Sequence, residues 1–283
     1  MRARTHLAAA LGAALAIPLA ACGGGGASPP ALAYRLPTPA RAVYDVYDTA
    51  TIAIEALGQS LDLDVGSAAV YDLAFARADD GVEVTLRVTD LEATLTVPMA
   101  GPMNVDESSV SGALVFTLDR RGEATLVSAP EVDETIGQLV PPLQIANSFF
   151  PALPGTPVRI GDTWTDTISY QDGDGATSGG GGDLMSILQY SAVRDTVIAG
   201  TPLLMIAFSG TSEISQTLDM QGMEIEQATS LDIEGHVLWE TQAGRMFERV
   251  TTSTGRGTVR IAVLPTDLPT RFQSVSRVRV RPE

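Results

Sequence analysis

The sequence is poor in the residues that most often carry reactive chemistry. Its 283 residues include one cysteine, Cys22, and two histidines, and all 18 basic residues are arginine. A lone cysteine excludes an internal disulfide, and the one histidine beyond the first 21 residues is too little for zinc, which needs clustered cysteine and histidine. Stability must therefore come from a hydrophobic core. We assign the absence of lysine to genome composition rather than to function.

Basic charge is also scarce relative to acidic charge. The full chain has a net charge of −16, and without residues 1–21 the remaining 16 arginines and 34 acidic residues leave −18. Nucleic acids and anionic lipid surfaces attract basic patches, so such an acidic chain is a poor partner for either. We therefore expect no nucleic-acid partner.

The first 22 residues are organised like a signal peptide. Arg2 and Arg4 precede an apolar run of 15 residues, from Leu7 to Ala21. A membrane-spanning helix needs roughly 20 residues, so this shorter run is typical of a removable signal, residues 1–21. The run ends in Leu19-Ala20-Ala21-Cys22, which resembles the lipobox of bacterial lipoproteins. The resemblance implies cleavage before Cys22 and lipidation of that cysteine. The alternative is a plain secretory signal with an incidental cysteine.

A short spacer follows the candidate lipidation site. Residues 22–32 begin with Cys22 and continue Gly23-Gly24-Gly25-Gly26-Ala27-Ser28-Pro29-Pro30, a composition typical of a flexible linker. Several acyl chains on one cysteine anchor a protein stably, so we expect the membrane to be a partner through this lipid. Gly23 is not the aspartate that resembles an inner-membrane retention signal in proteobacterial lipoproteins. We therefore expect a lipid-anchored protein of the cell envelope, on the outer membrane facing the periplasm rather than on the inner membrane.

Residues 33–283 are expected to form a single, mainly β envelope domain. Apolar and polar residues alternate most clearly in Val82-Glu83-Val84-Thr85-Leu86-Arg87-Val88, the pattern of a strand with one buried face. Similar runs separated by short turns predict about eleven strands in one large antiparallel sheet. After Thr89-Asp90 the alternation changes phase, which predicts a β-bulge. The glycine-rich stretch 173–182 is interpreted as a long hairpin loop.

One segment has helical spacing instead. Ser128 and Glu131 are spaced like a capping box, and apolar residues recur at helical intervals after them. Pro141-Pro142 must interrupt a helix, so we expect two short helices near 129–148 that cover one face of the sheet. This apolar stripe is either core or a lid over an apolar cavity. In the second case the candidate ligand-lining residues are Val132, Ile136, Leu139, Val140, Leu143, Phe149, Phe150 and Trp164.

The segment that leads to Trp164 indicates a fold rather than a chemistry. Leu153-Pro154, Pro157-Val158 and Gly161-Asp162 place prolines and a turn before this large residue, a pattern that resembles other bacterial secreted and lipid-anchored β proteins. With long strands, covering helices and a lipid anchor, the chain is similar in architecture to LolA-like and LppX-like lipoproteins. The resemblance implies a strongly curved sheet, a half-barrel, whose apolar concave face shelters acyl chains.

The sequence offers no clear catalytic or metal-binding constellation. His236 lies on the polar face of the alternating stretch Leu231 to Trp239, and no Gly-x-Ser-x-Gly elbow supplies a nucleophile for it. The acidic stretch that begins at Asp172 opens like a calcium loop, but Thr177 stands where that loop requires glycine. We therefore expect a non-enzymatic protein with no cofactor and no metal.

Three functions remain open. The first is a carrier or binder of an apolar or amphipathic ligand, the second is an envelope scaffold or assembly factor that binds another protein, and the third, more remote, is a hydrolase with a carboxylate pair. Arg277, Arg279 and Arg281 share one strand face, which we interpret as a solvated face that offsets nearby acids rather than a docking site. Flexible methionines could adapt a binding surface to a ligand; the candidates are Met99, Met103, Met185, Met205, Met220 and Met223.

Overall fold

The computed structural model describes residues 31–56, 58–97, 101–132, 142–170, 180–220, 223–261 and 266–282. Within them the chain is mainly β. One sheet contains twelve strands. In chain order they are β1 (Arg41–Ala56), β2 (Gln59–Ala78), β3 (Gly81–Val97), β4 (Gly101–Asp106), β6 (Leu114–Leu118), β7 (Ala124–Ser128), β9 (Thr163–Tyr170), β10 (Gly180–Ile198), β11 (Thr201–Met220), β12 (Met223–Glu240), β13 (Arg245–Ile261) and β14 (Leu268–Val280).

The remaining elements are short. A 3₁₀ turn covers Glu107–Ser109, and two strands of two residues, β5 (Val110–Ser111) and β8 (Glu131–Val132), pair with each other. The helix α1 spans Pro142–Phe149. These elements lie outside the main sheet, which therefore contributes most of the structure.

The sheet consists of two meanders joined through the first and last strands. Its order is β7-β6-β3-β2-β1-β14-β13-β12-β11-β10-β9, and β4 pairs with β3 beside this path. Neighbouring strands are antiparallel, and the central β1–β14 pair places Tyr44 opposite Val280 and Ile54 opposite Thr270. The prediction of one large antiparallel sheet of about eleven strands is confirmed.

The core lies on one face of this sheet, which we call the interior face. Tyr44 on β1, Phe116 on β6 and Val237 on β12 are fully buried there. Alternate residues of each strand point to this face, and the intervening residues form the outer face. The predicted bulge is present, because Val70 pairs with Asp90 whereas its neighbour Tyr71 pairs with Val88.

A covering segment, residues 142–153, packs against the interior face. It comprises α1 and the extended residues after it. The Phe149 ring contacts Tyr44 edge-on, with ring centroids 5.4 Å apart, and the Phe150 ring lies 6.0 Å from Phe116. Leu153 is fully buried. The segment therefore covers one side of a core whose other side is formed by the sheet.

Hydrogen bonds fix the covering segment to the rest of the domain. The Tyr34 hydroxyl donates to the Pro151 carbonyl at 2.7 Å, and the Leu153 N–H donates to the Arg121 carbonyl at 2.8 Å. Gly122, with φ of +95°, stands in the turn between β6 and β7. A Cβ there would lie 2.6 Å from the Tyr34 ring, so only glycine lets this turn approach so closely.

The sheet is not strongly curled, so the expectation of a strongly curved half-barrel is wrong. Curling comes from bulges and kinks repeated across neighbouring strands. Here the register shifts fall in the β2–β3, β6–β7, β10–β11 and β12–β13 pairs, whereas the central β1–β2, β1–β14 and β13–β14 pairs run without a shift. A regular centre keeps the sheet from curling strongly.

The expectation of two covering helices near 129–148 is also wrong. Glu131 and Val132 form strand β8 instead of a first helical turn, because they pair with β5. The part of the chain that the structure describes holds one α-helix, α1, and residues 133–141 lie outside that part. α1 begins at Pro142, a position where the missing N–H of proline costs no helical hydrogen bond. Pro142 therefore marks a helix start.

Candidate functional site

A cavity of about 770 Å³ lies between the covering segment and the interior face of strands β9 to β13. The covering segment contributes Ser148, Phe150 and Ala152 to its wall, and residues 121–124, at the turn between β6 and β7 and the start of β7, contribute another part. Binding sites for small molecules typically have volumes of about 300–1,000 Å³. This cavity is therefore large enough for an organic ligand.

Gly210 lets β10 and β11 approach closely beside the cavity, because a Cβ at this position would lie 1.9 Å from the Ile187 carbonyl oxygen. This glycine pairs with Leu188 of β10 on one side and with Ile233 of β12 on the other. Side chains of directly paired residues lie on the same face of a sheet, so Leu188 and Ile233 flank a position without a side chain. Both flanking residues line the cavity.

Apolar side chains continue away from the packed core along the same strands. Leu231 is buried, and Leu184, Ile214 and Ile168 are half-buried. All of these residues line the cavity. Partly exposed aliphatic side chains on an interior face form a surface that an apolar chain can cover.

Arg249 brings a charge to this cavity. It pairs with Val237 and Val278, both buried on the interior face, so its side chain also points inward. The guanidinium carbon lies 5.4 Å from the centre of the Phe208 ring, and Nη1 donates a hydrogen bond to the Ser148 carbonyl. Nε is shielded from solvent and has no hydrogen-bond partner. Desolvation lowers the pKa of Arg249 from its ordinary value, although a guanidinium stays charged at neutral pH.

Two buried hydroxyls add polar groups to the wall. Ser186 of β10 and Ser212 of β11 face each other in the register, and the Ser186 hydroxyl donates to Ser212 Oγ at 2.7 Å. Both side chains are nearly fully buried, at 6% and 2% exposure, and both line the cavity. The cavity therefore combines aliphatic surface with a cation and hydroxyl groups.

The other charged groups of the cavity are Arg121, Glu123 and Asp166. Burial raises the pKa of the Asp166 carboxyl, the nearby Arg121 lowers it, and Glu123 raises it. Asp166 lies on the edge strand β9 and the other two on the turn between β6 and β7. They therefore belong to different elements from Arg249, which is on β13.

The structure brings together only some of the residues predicted to line a ligand. Phe150 lines the cavity, and Phe149 is buried in the core beside it. Trp164 is half-buried, stacks on Tyr190 at a centroid distance of 5.6 Å and donates from Nε1 to the Ala152 carbonyl at 2.9 Å. Val132 is in β8, Leu143 is in α1, and Ile136, Leu139 and Val140 lie outside the described residues. Their role in binding stays a prediction.

The candidate methionines do not gather at the cavity. Met103 and Met185 are exposed, at 49% and 48%, and Met205 is half-buried away from the cavity wall. Met99 lies outside the described residues, and Met220 and Met223 end β11 and begin β12. The idea of a lining rich in methionine therefore has no support among the described side chains.

The outer face carries the arginines near the C-terminus, and acids surround them. Glu248, at 11% side-chain exposure, accepts a hydrogen bond from Arg277 Nη2 at 2.7 Å, and Arg279 Nε lies 3.7 Å from the same carboxylate. Arg281 pairs with Asp45 at 2.6 Å. This arrangement agrees with a strand face that offsets nearby acids. His236 also lies here, with Nε2 4.0 Å from Glu248, and so does not reach the cavity.

Sequence reasoning missed Arg249 and the serine pair. The alternation near 245–253 is blurred, because β13 meets a register shift at Leu238 and Trp239 of β12 and its interior residues change from apolar to Thr251 and Ser253. An arginine in such a stretch is normally assigned to solvent. Its inward position could be recognised only by counting alternation backwards from Ser253.

Comparisons with known proteins do not assign a function to this protein. The sequence matches no protein-family model and no curated protein. Across the described ranges, no helix has both the length and the apolar character needed to span a membrane. The same residues contain no group of three or more His, Cys, Asp or Glu side chains arranged to hold a metal ion.

Proposed function

We propose that this protein is a lipid-anchored, non-enzymatic envelope protein that binds an amphipathic ligand in the cavity under its covering segment. The observation that carries the proposal is the lining of that cavity. Aliphatic side chains of Leu188, Ile233 and Leu231 share its wall with the guanidinium of Arg249 and the Ser186–Ser212 hydroxyl pair. A ligand with an apolar body and a polar group matches such a wall.

The position of the cavity supports binding rather than catalysis. The described histidine, His236, is on the outer face, and the cavity carboxylates Glu123 and Asp166 belong to a turn and an edge strand. General acid–base catalysis needs a titrating group within hydrogen-bond reach of the reacting atoms. Glu123 and Asp166 supply such groups at one side of the cavity, whereas aliphatic side chains line the interior face of the sheet, and we therefore propose a carrier or binder rather than a carboxylate-dependent hydrolase.

The proposed membrane attachment rests on the sequence. A thioether-linked lipid at Cys22, followed by the glycine-rich spacer, would hold the β domain close to the membrane surface. An amphipathic ligand that partitions into that membrane would then be supplied locally. Replacement of Cys22 by serine should release the protein from the membrane fraction and abolish palmitate incorporation, whereas a plain secretory signal predicts no effect on either.

Analysis of co-purified lipid tests the proposed binding. The full chain is purified from envelope membranes, extracted with organic solvent and analysed by mass spectrometry, in parallel with an Ile214→Trp variant that fills part of the cavity. Ile214 is half-buried on the cavity wall, so a larger ring can be accommodated without disturbing the packed core. About one amphiphile per wild-type chain and much less on the variant are expected. Equal lipid on both would contradict binding in this cavity.

A second function, the envelope scaffold, is favoured by one observation. Met185 and Ile187 alternate on the outer face of β10 and are exposed, at 48% and 43%. Exposed apolar side chains beside a sheet edge are typical of protein-binding surfaces. Cross-linking in intact envelopes from a photoreactive residue at position 187 tests this function. If the protein is a scaffold, one dominant protein adduct is expected; if this strand face only contacts solvent, no adduct is expected.

A further inference from the structure

Arg249 differs from the ion-paired arginines of the sheet. Arg41, Arg245, Arg271, Arg277 and Arg281 each have a carboxylate oxygen within 3.0 Å. For Arg249, no carboxylate oxygen in the described part of the chain lies within ion-pair distance. Its guanidinium instead contacts a carbonyl oxygen and an aromatic face, and at longer range it is influenced by the charge of Asp48. The interior face thus holds a cation without a direct counterion.

The acid whose charge acts on Arg249 is already engaged. Asp48 of β1 accepts hydrogen bonds from Ser67 and Ser276, and burial raises the pKa of its carboxyl. It therefore does not provide the bidentate contact that a guanidinium makes with a carboxylate. A partly buried guanidinium whose Nε has no acceptor is costly to keep, because an unsatisfied donor loses its hydration without replacement.

The apolar wall begins next to this cation. Phe208, under the guanidinium, pairs with Gly235 and Tyr190, and the next interior residues along the same strands are Gly210, Ile233 and Leu188. Beyond them come Leu231 and then Leu184 and Ile214. A molecule in the cavity therefore meets charge at one end and a run of aliphatic side chains away from it.

We propose that the ligand is an anionic amphiphile whose acid group binds the guanidinium of Arg249 and whose acyl chain lies along Leu188, Ile233 and Leu231. This inference rests on the proposed function and adds the charge and orientation of the ligand. The recognised chemistry is an oxyanion on a long apolar chain, as in a fatty acid or an alkyl phosphate. The hydroxyls of Ser186 and Ser212 border the chain path and can receive a second polar group of the ligand.

Isothermal titration with matched probes tests the charge. The protein is the full chain carrying Cys22→Ser, so that no lipid is attached at residue 22. The probes are oleate, oleyl alcohol, dodecyl phosphate and inorganic phosphate, each below its aggregation concentration. Loss of a charge-assisted hydrogen bond corresponds to about a tenfold to hundredfold change in affinity. Oleate should therefore bind at least about tenfold more tightly than oleyl alcohol.

Substitutions locate the effect. Arg249→Gln should remove the preference for oleate, because it weakens oleate binding much more than oleyl alcohol binding. Arg249→Lys should restore part of the preference because it restores the charge. Arg77→Gln, on the exposed part of β2, serves as the matched control and should leave both affinities unchanged. Circular dichroism establishes that each variant is folded. If Arg249→Gln does not fold, the comparison of oleate with its alcohol on the wild-type chain still decides the question.

Each outcome separates this inference from the proposed function. Equal affinity for oleate and oleyl alcohol would overturn the role of Arg249 while leaving an amphiphile-binding cavity in place. Binding of neither would overturn the proposed function itself. If inorganic phosphate bound as tightly as dodecyl phosphate, the site would be one for a free anion, and the acyl-chain part of the inference would be wrong.

Discussion

Truncation of Phe150 to alanine should destabilise the domain strongly. Phe150 is only 5% exposed, and its ring centroid lies 4.9 to 6.5 Å from those of Phe149, Tyr34, Phe116 and Phe75. Core Phe→Ala substitutions cost about 3–5 kcal/mol in the free energy of unfolding. Because Phe150 also lines the cavity, one side of its ring already borders unfilled space. We therefore expect a cost of about 3 kcal/mol, at the lower end of that range.

Urea denaturation, monitored by circular dichroism, measures this change in the free energy of unfolding. For a domain of this size, about 3 kcal/mol corresponds to a fall of roughly 6–12 °C in the melting temperature. Tyr47→Ala is the control, because the Tyr47 side chain is 54% exposed on β1, and it should change stability by no more than about 0.5 kcal/mol. If Phe150→Ala had the same melting temperature as Tyr47→Ala, the covering segment would contribute little to the core, and the cavity beneath it would lack a fixed wall.

Three further predictions concern the sheet itself. Gly210→Ala should destabilise the domain markedly, because a Cβ would collide with a backbone carbonyl of β10. At Gly66 a Cβ would meet nothing within 4 Å, so Gly66→Ala should be near neutral, and thermal melts compare the two variants. Glu248→Gln should cost about 1 kcal/mol by urea denaturation, since it weakens the pairing with the half-exposed Arg277; no change would show that water replaces the pair without loss. Asp48 has a raised pKa in the folded state, so its ionisation opposes folding, and that penalty is absent below its ordinary pKa of about 3.9 and grows as pH rises. Asp48→Asn should therefore stabilise the domain at pH 7 and lose this advantage toward pH 4, and an advantage independent of pH would refute the assignment.

Alternation alone predicts most of the sheet. Strand β3 buries Val82, Val84 and Leu86 in alternation, so the period of two is visible in the sequence, and even the bulge at Thr89 shows as a change of phase. The segment after β7 misleads, because the Ser128 and Glu131 spacing is that of a helix cap, whereas pairing with β5 places Glu131 in a strand. A contact between distant residues outweighed a local preference there.

Most of the candidate site could not be predicted in the same way. Phe150 was identified from its apolar character, but Arg249, Ser186 and Ser212 are polar residues in ordinary strand positions. Their importance comes from the covering segment, which closes over these strands from more than thirty positions away in the chain. The period of two in a strand predicts which face of the sheet a side chain occupies. It does not predict which part of the chain packs against that face.

The junction of the first and last strands constrains how the protein can fold. Asp45 and Arg281 are 236 positions apart, yet they hydrogen-bond across the middle of the sheet, and β1 pairs with β14 along eleven residues. A chain that ends before residue 268 has two separate meanders, each with a bare edge, β1 on one and β13 on the other. Contacts between such distant residues make folding slow, since the long loop must close before any of them form. Assembly of the native sheet must therefore wait for the final strand to emerge, and until then both edges need protection from aggregation.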